Sequence, residues 1–201
     1  VYIVSEDNYN EFSYSPLDYV DTTMIEAVEV PEDDEDNDYY LNSELIGFEK
    51  IIISGARFSH GITMTYDQNN DEALVYKIKA PVETYADDEA VTEILSPFND
   101  SLAGDGTYCV RPTDEDFKKY GLSNPETVFT YVIKGKTYTL KLSKADAFSD
   151  GYYSCYMEGI PAIFRLNTET YEFLSWDITD IRNNVLFAKN IDTVETFNAK
   201  Y

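Results

Sequence analysis

One histidine, two cysteines and one tryptophan are spread over 201 residues. A catalytic arrangement built on imidazole therefore has only His60 to use. Its setting, Ser59-His60-Gly61, carries no nucleophile motif and reads as a turn. Two cysteines without clustered histidines cannot close a zinc site. Cys109 and Cys155 both stand in strand-like stretches, Thr107-Tyr108-Cys109-Val110 and Tyr152 to Met157. They read as small buried hydrophobes or as a disulfide between neighbouring strands. Basic residues are also scarce: 15 Lys and Arg against 38 Asp and Glu give a formal charge of −23. Such a chain repels phosphate backbones and anionic bilayers, so no nucleic-acid partner is expected. Nothing approaches the roughly 18 consecutive apolar residues that span a membrane. No signal-peptide pattern opens the chain; Val1-Tyr2-Ile3-Val4 reads as mid-strand, as in an excised piece. Gly104-Asp105-Gly106 precedes a strand and not a helix, so it does not make a phosphate loop.

Tyrosine and acid are what the chain has in quantity. Eighteen tyrosines bring the aromatic fraction to 15%. They read as half-buried sheet surface, with a carbohydrate-stacking face as the functional alternative. The acid is spread as a solvated surface and condensed in Pro31 to Asp38. That run invites a calcium reading, because Asp33, Glu35, Asn37 and Glu44 fall at positions one, three, five and twelve of a calcium loop. Asp38 stands where the loop's sharp turn requires glycine, which favours a plain acidic loop. Glycoside hydrolysis needs only two carboxylates across a cleft, and Asp177 and Asp180 beside Trp176 form the one acidic-aromatic cluster worth testing. The competing reading is an exposed helix face with one buried indole.

The clearest structural signal runs from Thr113 to Ser143. Thr113 and Asp116 make a capping-box pattern, with acids in the first turn and Lys118 and Lys119 in the last. Gly121 ends the helix and Pro125 prevents its resumption. Val128 to Ile133, the turn Lys134-Gly135-Lys136, and the alternation of Tyr138, Leu140 and Leu142 with Thr139, Lys141 and Ser143 predict a β-hairpin.

Tyr120-Gly121-Leu122-Ser123-Asn124-Pro125, then Gly135 to Leu140 and Gly151-Tyr152-Tyr153, resemble an uncharacterised bacterial family, domain of unknown function 4340. The likeness runs back to Lys79-Ala80-Pro81-Val82, Ala86-Asp87 and Val91. It runs forward to Ala162-Ile163-Phe164, Leu174 and Asp180-Ile181-Arg182-Asn183, covering about Glu49 to Phe187. The family has no established activity. The resemblance implies an extracytoplasmic protein tethered by an N-terminal membrane segment outside this stretch, often encoded beside transporter or gliding-type genes.

The two ends of the chain correspond to each other. Tyr9 lies over Tyr171, Ser13 over Ser175 and Asp18 over Asp180, at a constant offset of 162 (171 − 9, 180 − 18). Met24-Ile25 lies over Leu186-Phe187, and Ile191 to Asn198 resembles Leu45 to Ile52. This reads as an internal repeat cut out of phase. Residues 1–30 end one unit, 31–44 are an acidic linker, 45–187 form the main unit, and 188–201 begin the next.

Within the main unit, strands are expected over Glu49 to Ser54, Ile62 to Tyr66 and Ala73 to Ile78, closing a small meander. A helix follows Asp87, with Val91, Ile94, Leu95, Phe98 and Leu102 on one face and a break at Pro97. Tyr152 to Met157 and Ala162 to Leu166 pair across Glu158-Gly159. A final helix is expected over Thr168 to Asn183, and another over Asp7 to Tyr14. The fold class is α+β: antiparallel β-sheets with helices packed on one side, in a tandem-repeat-like unit. The functional expectation is a non-enzymatic structural or protein-interaction module of a bacterial envelope protein, with a protein partner and no cofactor. The alternative is a glycan- or calcium-binding surface domain.

Overall fold

The computed structural model describes residues 15–28, 47–66 and 76–183. The expected helix over Asp7 to Tyr14, the calcium candidates Asp33, Glu35, Asn37 and Glu44, and the segment 188–201 lie outside the described residues.

Alternation along the sequence becomes alternation of burial. Strand β8 (Thr127–Ile133) buries Thr127, Phe129, Tyr131 and Ile133 and leaves the residues between them half-exposed. Strand β9 (Lys136–Leu142) returns on it through Lys134 and Gly135, with φ of 47° and 72°. Positive φ at both central residues is what a two-residue hairpin turn needs to match the twist of its strands. Strand β2 (Phe48–Ser54) lies antiparallel on the other side of β8.

From the β2–β8 pair two meanders run outward. One continues through β3 (Ile62–Tyr66), β4 (Tyr76–Ala80) and the short β5 (Thr84–Tyr85). The other continues through β9, β10 (Tyr152–Met157) and β11 (Ala162–Asn167). Strand β7 (Gly106–Val110), made earlier in the chain, closes the far edge on β11. The result is a nine-stranded sheet, β5-β4-β3-β2-β8-β9-β10-β11-β7, with every pairing antiparallel.

Helix α1 (Asp88–Leu95) starts where the Asp87 carboxylate accepts the N–H groups of Glu89 and Ala90, and it buries Ala90, Val91, Ile94 and Leu95. Pro97 ends it and opens the short α2 (Pro97–Asp100), whose Phe98 sets its ring 5.2 Å from Tyr131. Leu102 does not continue the helical face as expected. After Ser101, at φ 67°, the chain is extended as β6 (Leu102–Ala103), paired with β1 (Thr23–Ile25). Met24 and Ile25 thus enter the main core, Met24 Sδ lying 3.8 Å from Cys155 Sγ. So part of the stretch read as the end of a preceding unit is packed inside the main one. A fully buried Ile, Leu or Phe stabilises by about 1.5–3 kcal/mol, and Ile25, Ile51, Ile53, Phe98 and Phe129 are each at most 1% exposed.

The helices are not all on one side. Helix α3 (Asp114–Lys119) has the expected capping box, Thr113 Oγ1 accepting from Asp116 N–H and Asp116 accepting from Thr113 N–H. It ends in the expected glycine stop: with Gly121 at φ 72°, Leu122 N–H reaches Phe117 O and Gly121 N–H reaches Lys118 O. Its residues Phe117, Tyr120 and Leu122 pack with Ile163, Tyr108, Cys109 and Tyr156 in a cluster of their own. Ile163 alternates with Phe164, which faces the main core, so α3 covers the opposite face of the sheet. The reason is placement: the cap and stop set α3 between β7 and β8, at the end where the back of β11 presents Ile163.

The long final helix is replaced by shorter pieces. Asn167 Oδ1 accepts from Glu169 and Thr170 N–H, which turns the chain as β11 ends. A 3-10 turn follows over Glu172–Ser175, burying Phe173 and Leu174, and then α4 (Ile178–Ile181). Asp177, extended at φ −114°, is the N-cap that forces a fresh start.

The described part of the opening segment is capped in the same way, although it is wound as a 3-10 helix and α4 as an α-helix. Pro16–Tyr19 is a 3-10 turn with a capping box between Ser15 and Asp18. Ile178–Ile181 is a turn of equal length with a capping box between Asp177 and Asp180. Each leaves through an extended residue, Val20 (φ −78°, ψ 128°) and Arg182 (φ −73°, ψ 141°). The first lies at the β7 edge of the sheet; the second lies at the other end, where Arg182 bridges Ala86 and Asn183 N–H reaches Tyr85 O.

Candidate functional site

Two grooves mark these two ends. The larger, about 640 Å³, lies along the exposed side of α1 and is lined by Asp87, Asp88, Glu89, Thr92, Glu93, Trp176 and Asp180. The structure therefore brings the sequence candidates Trp176 and Asp180 together with acids that the sequence did not point to. Asp87 and Asp88 were legible only as a helix start. Nothing in their spacing announced that Trp176, almost ninety residues later, would lie beside them.

The indole's place is held from below. Arg57, in the turn after β2, donates from its guanidinium to the carbonyl oxygens of Ser175 and Trp176, the latter at 2.7 Å. Its charge also lies 4.6 Å from the Phe58 ring centre. Trp176 is half-buried, so one part of the indole packs on the core while another lines the groove. Sequence reasoning gave Arg57 no role, since a lone Arg after a strand carries no signal.

Asp177 and Asp180 are occupied by backbone. Asp177 Oδ1 accepts from the N–H and hydroxyl of Thr179, each at 2.6 Å, and Asp180 Oδ2 accepts from Asp177 N–H at 2.7 Å. Those bonds from the Thr179 hydroxyl and N–H hold the Asp177 carboxyl below its ordinary range. Asp177 is thus a fixed anion capping α4, the opposite of a carboxyl poised to give up a proton. Asp88 moves the other way: local desolvation, and then the charge of Asp87, raise its carboxyl. The groove thus sets an indole beside several carboxylates.

The second groove, about 510 Å³, runs between the Pro16–Tyr19 turn and the start of β7, where Leu17, Val20, Gly104, Asp105, Thr107 and Arg165 line it. Arg165 donates to Asp105 O and lies 5.3 Å from the Tyr152 ring centre, while Asp105 Oδ2 accepts Asn167 N–H. Gly104 N–H donates to Thr22 O, tying the segment that follows the turn to the sheet edge.

The remaining candidates stand apart. His60 is exposed in the connection between β2 and β3, the turn position expected of it. Cys109 and Cys155 are both free thiols. They do not lie on neighbouring strands: β11 runs between β7 and β10, and the two side chains belong to clusters on opposite faces. Burial raises both thiols, Cys155 the more strongly. Among the described residues no group of three or more His, Cys, Asp or Glu is placed to hold a metal ion. No helix among them is long and apolar enough to cross a membrane.

No protein-family model, no curated protein and no solved structure matches this chain.

Proposed function

We propose that this chain is a non-enzymatic structural and protein-contact module of a bacterial envelope protein, built from a unit that recurs in tandem. The observation that carries the reading is the pair of turns with matching capping boxes, Ser15 to Val20 and Asp177 to Arg182, at opposite ends of one sheet and 162 residues apart. A unit that ends in such a turn and receives one at its other edge is suited to being strung in series. The likeness of residues 49–187 to domain of unknown function 4340 supports an extracytoplasmic place, with any membrane anchor supplied elsewhere and with association to a transporter system. The acidity supports a solvated surface.

The α1 groove favours one second reading, a glycan- or cation-binding surface domain, because it sets an indole beside several carboxylates. Thermal denaturation separates the two. A ligand present at a hundred times its Kd adds about 2.7 kcal/mol, which in a domain of this size moves Tm by about 5 °C or more. Under the structural reading, millimolar calcium and a glycan array leave Tm unchanged and produce no hit. A clear shift or hit, lost on changing Trp176 to Ala, establishes the second reading. For the tandem arrangement, the test is the natural reading frame: a further copy in the same 162-residue register supports it, and an unrelated continuation removes it.

A further inference from the structure

The two turns share a capping box and a length but bury complementary faces. In the opening turn Leu17 and Val20 are half-buried against the sheet edge, while Pro16 is exposed and Tyr19 is 68% exposed. In the closing turn the pattern is inverted: Ile178 is half-buried and Ile181 is 0% exposed, while Thr179 and Arg182 are exposed. At the constant offset, Leu17 and Val20 correspond to Thr179 and Arg182, and Pro16 and Tyr19 to Ile178 and Ile181. Each turn therefore has one face covered, and each covers the face that the other leaves open.

We infer that the capped turn is a bridge held between two copies of this unit, and that Thr179 and Arg182 are the face on which a second copy's β7 edge docks. The seat is visible here, since Leu17 and Val20 line the groove beside Gly104, Asp105 and Thr107. A second copy would place the same groove over Thr179 and Arg182. The closing turn is already fixed to its own unit from behind, by Ile181, by the bond from Asp87 N–H to Ile181 O, and by the Ala86–Arg182 bridge. Docking therefore orders little new backbone. Successive copies joined in this way form a heterologous, head-to-tail contact.

The inference rests on the tandem reading but is measured without it. In the isolated chain the seat is filled by the chain's own opening turn, whose effective concentration is on the order of millimolar. Leu17→Asp should empty the seat and let the closing turn of a second molecule in. The expected result is that the wild-type chain sediments as a monomer while L17D self-associates as concentration rises. Adding Thr179→Asp and Arg182→Glu to L17D should return it to monomer, although both positions lie at the far end of the molecule. Circular dichroism establishes that each variant is folded, and Leu17→Ala, expected to associate at higher concentration, stands in should L17D not fold. A folded L17D or L17A chain that stays monomeric overturns the docking inference. So does association that T179D/R182E fails to suppress, because it would be non-specific. Suppressible association with no further copy in the natural reading frame would leave the docking standing as a contact between chains and remove the tandem reading alone.

Discussion

Across four adjacent strands, Ile78, Met64, Ile51 and Tyr131 lie opposite one another, each 0% exposed. One step along the same strands, on the other face, the row reads Lys77, Thr65, Lys50 and Val132, all half-exposed. The same backbone thus carries a dry core on one side and a half-exposed row with two lysines on the other. In a chain of formal charge −23, this means that the acids sit elsewhere. Many stand at helix starts, where Asp87, Asp116, Asp177 and Asp180 hold backbone N–H groups. Covering elements make the difference between the faces. Among the described residues, helices α1 and α2 and strand β1 pack on the first face, whereas α3 packs on the second around β7, β10 and β11.

The strongest way to break the comparison is to hollow out the covered face. Phe129→Ala, at a position 0% exposed, should cost about 3–5 kcal/mol, read as a fall in the urea midpoint with little change in slope. The small cluster under α3 should be weaker. Leu122→Ala, at 3% exposure, should cost about 2 kcal/mol and leave the rest of the sheet protected from hydrogen exchange. A loss as large as that at Phe129 would show that the two clusters form one core.

One substitution should act in the other direction. The Tyr131 hydroxyl is buried and, among the described residues, meets no hydrogen-bond partner. An unmade bond on a buried polar group costs about 1–3 kcal/mol, so Tyr131→Phe should raise Tm. Burial also raises the Tyr131 phenol far above its ordinary value. Its contribution is therefore complete below the unfolded value of about 10 and declines as pH rises beyond it. Wild-type stability should fall in strong alkali, and Y131F should fall less.

The caps should give smaller effects. Asp177→Ala should cost about 1 kcal/mol, loosening α4 and the Trp176 groove without unfolding the sheet. Bonds from Thr113 N–H and hydroxyl lower the Asp116 carboxyl as those from Thr179 lower Asp177. A lowered carboxyl contributes fully above its unfolded value of about 4, and the contribution is lost as pH falls through the folded value. Thermal stability should therefore be flat from pH 7 to 5 and drop below about pH 4, less steeply in D177A. The smallest effect is expected on the open face: Lys50→Ala and Thr130→Ala should each stay within about 0.5 kcal/mol of wild type.

The hairpin of β8 and β9 and the capped helix α3 were legible because their causes are local: a period of two, a capping box, a glycine at positive φ. The break at Pro97 was legible for the same reason. The end of the chain misled because Tyr171, Leu174, Ile178 and Ile181 do recur at helical spacing. Asn167 turns the chain before that spacing begins, and Asp177, able to bond its own backbone, interrupts it. The candidate site was half legible. Trp176, Asp177 and Asp180 are adjacent in sequence, but their partners Arg57, Asp88 and Glu93 are joined to them only by the fold.

Residue order by itself determined which segments alternate and where the capped helix α3 starts and stops, since each of these depends on neighbours within a few positions. Which strands lie side by side, which face α3 covers, why Met24 and Ile25 enter the main core, and why the two turns bury opposite faces were decided only by tertiary structure. Those outcomes depend on apolar surfaces far apart in the chain finding one another, and burial acts on area brought together in space, whatever the distance along the sequence.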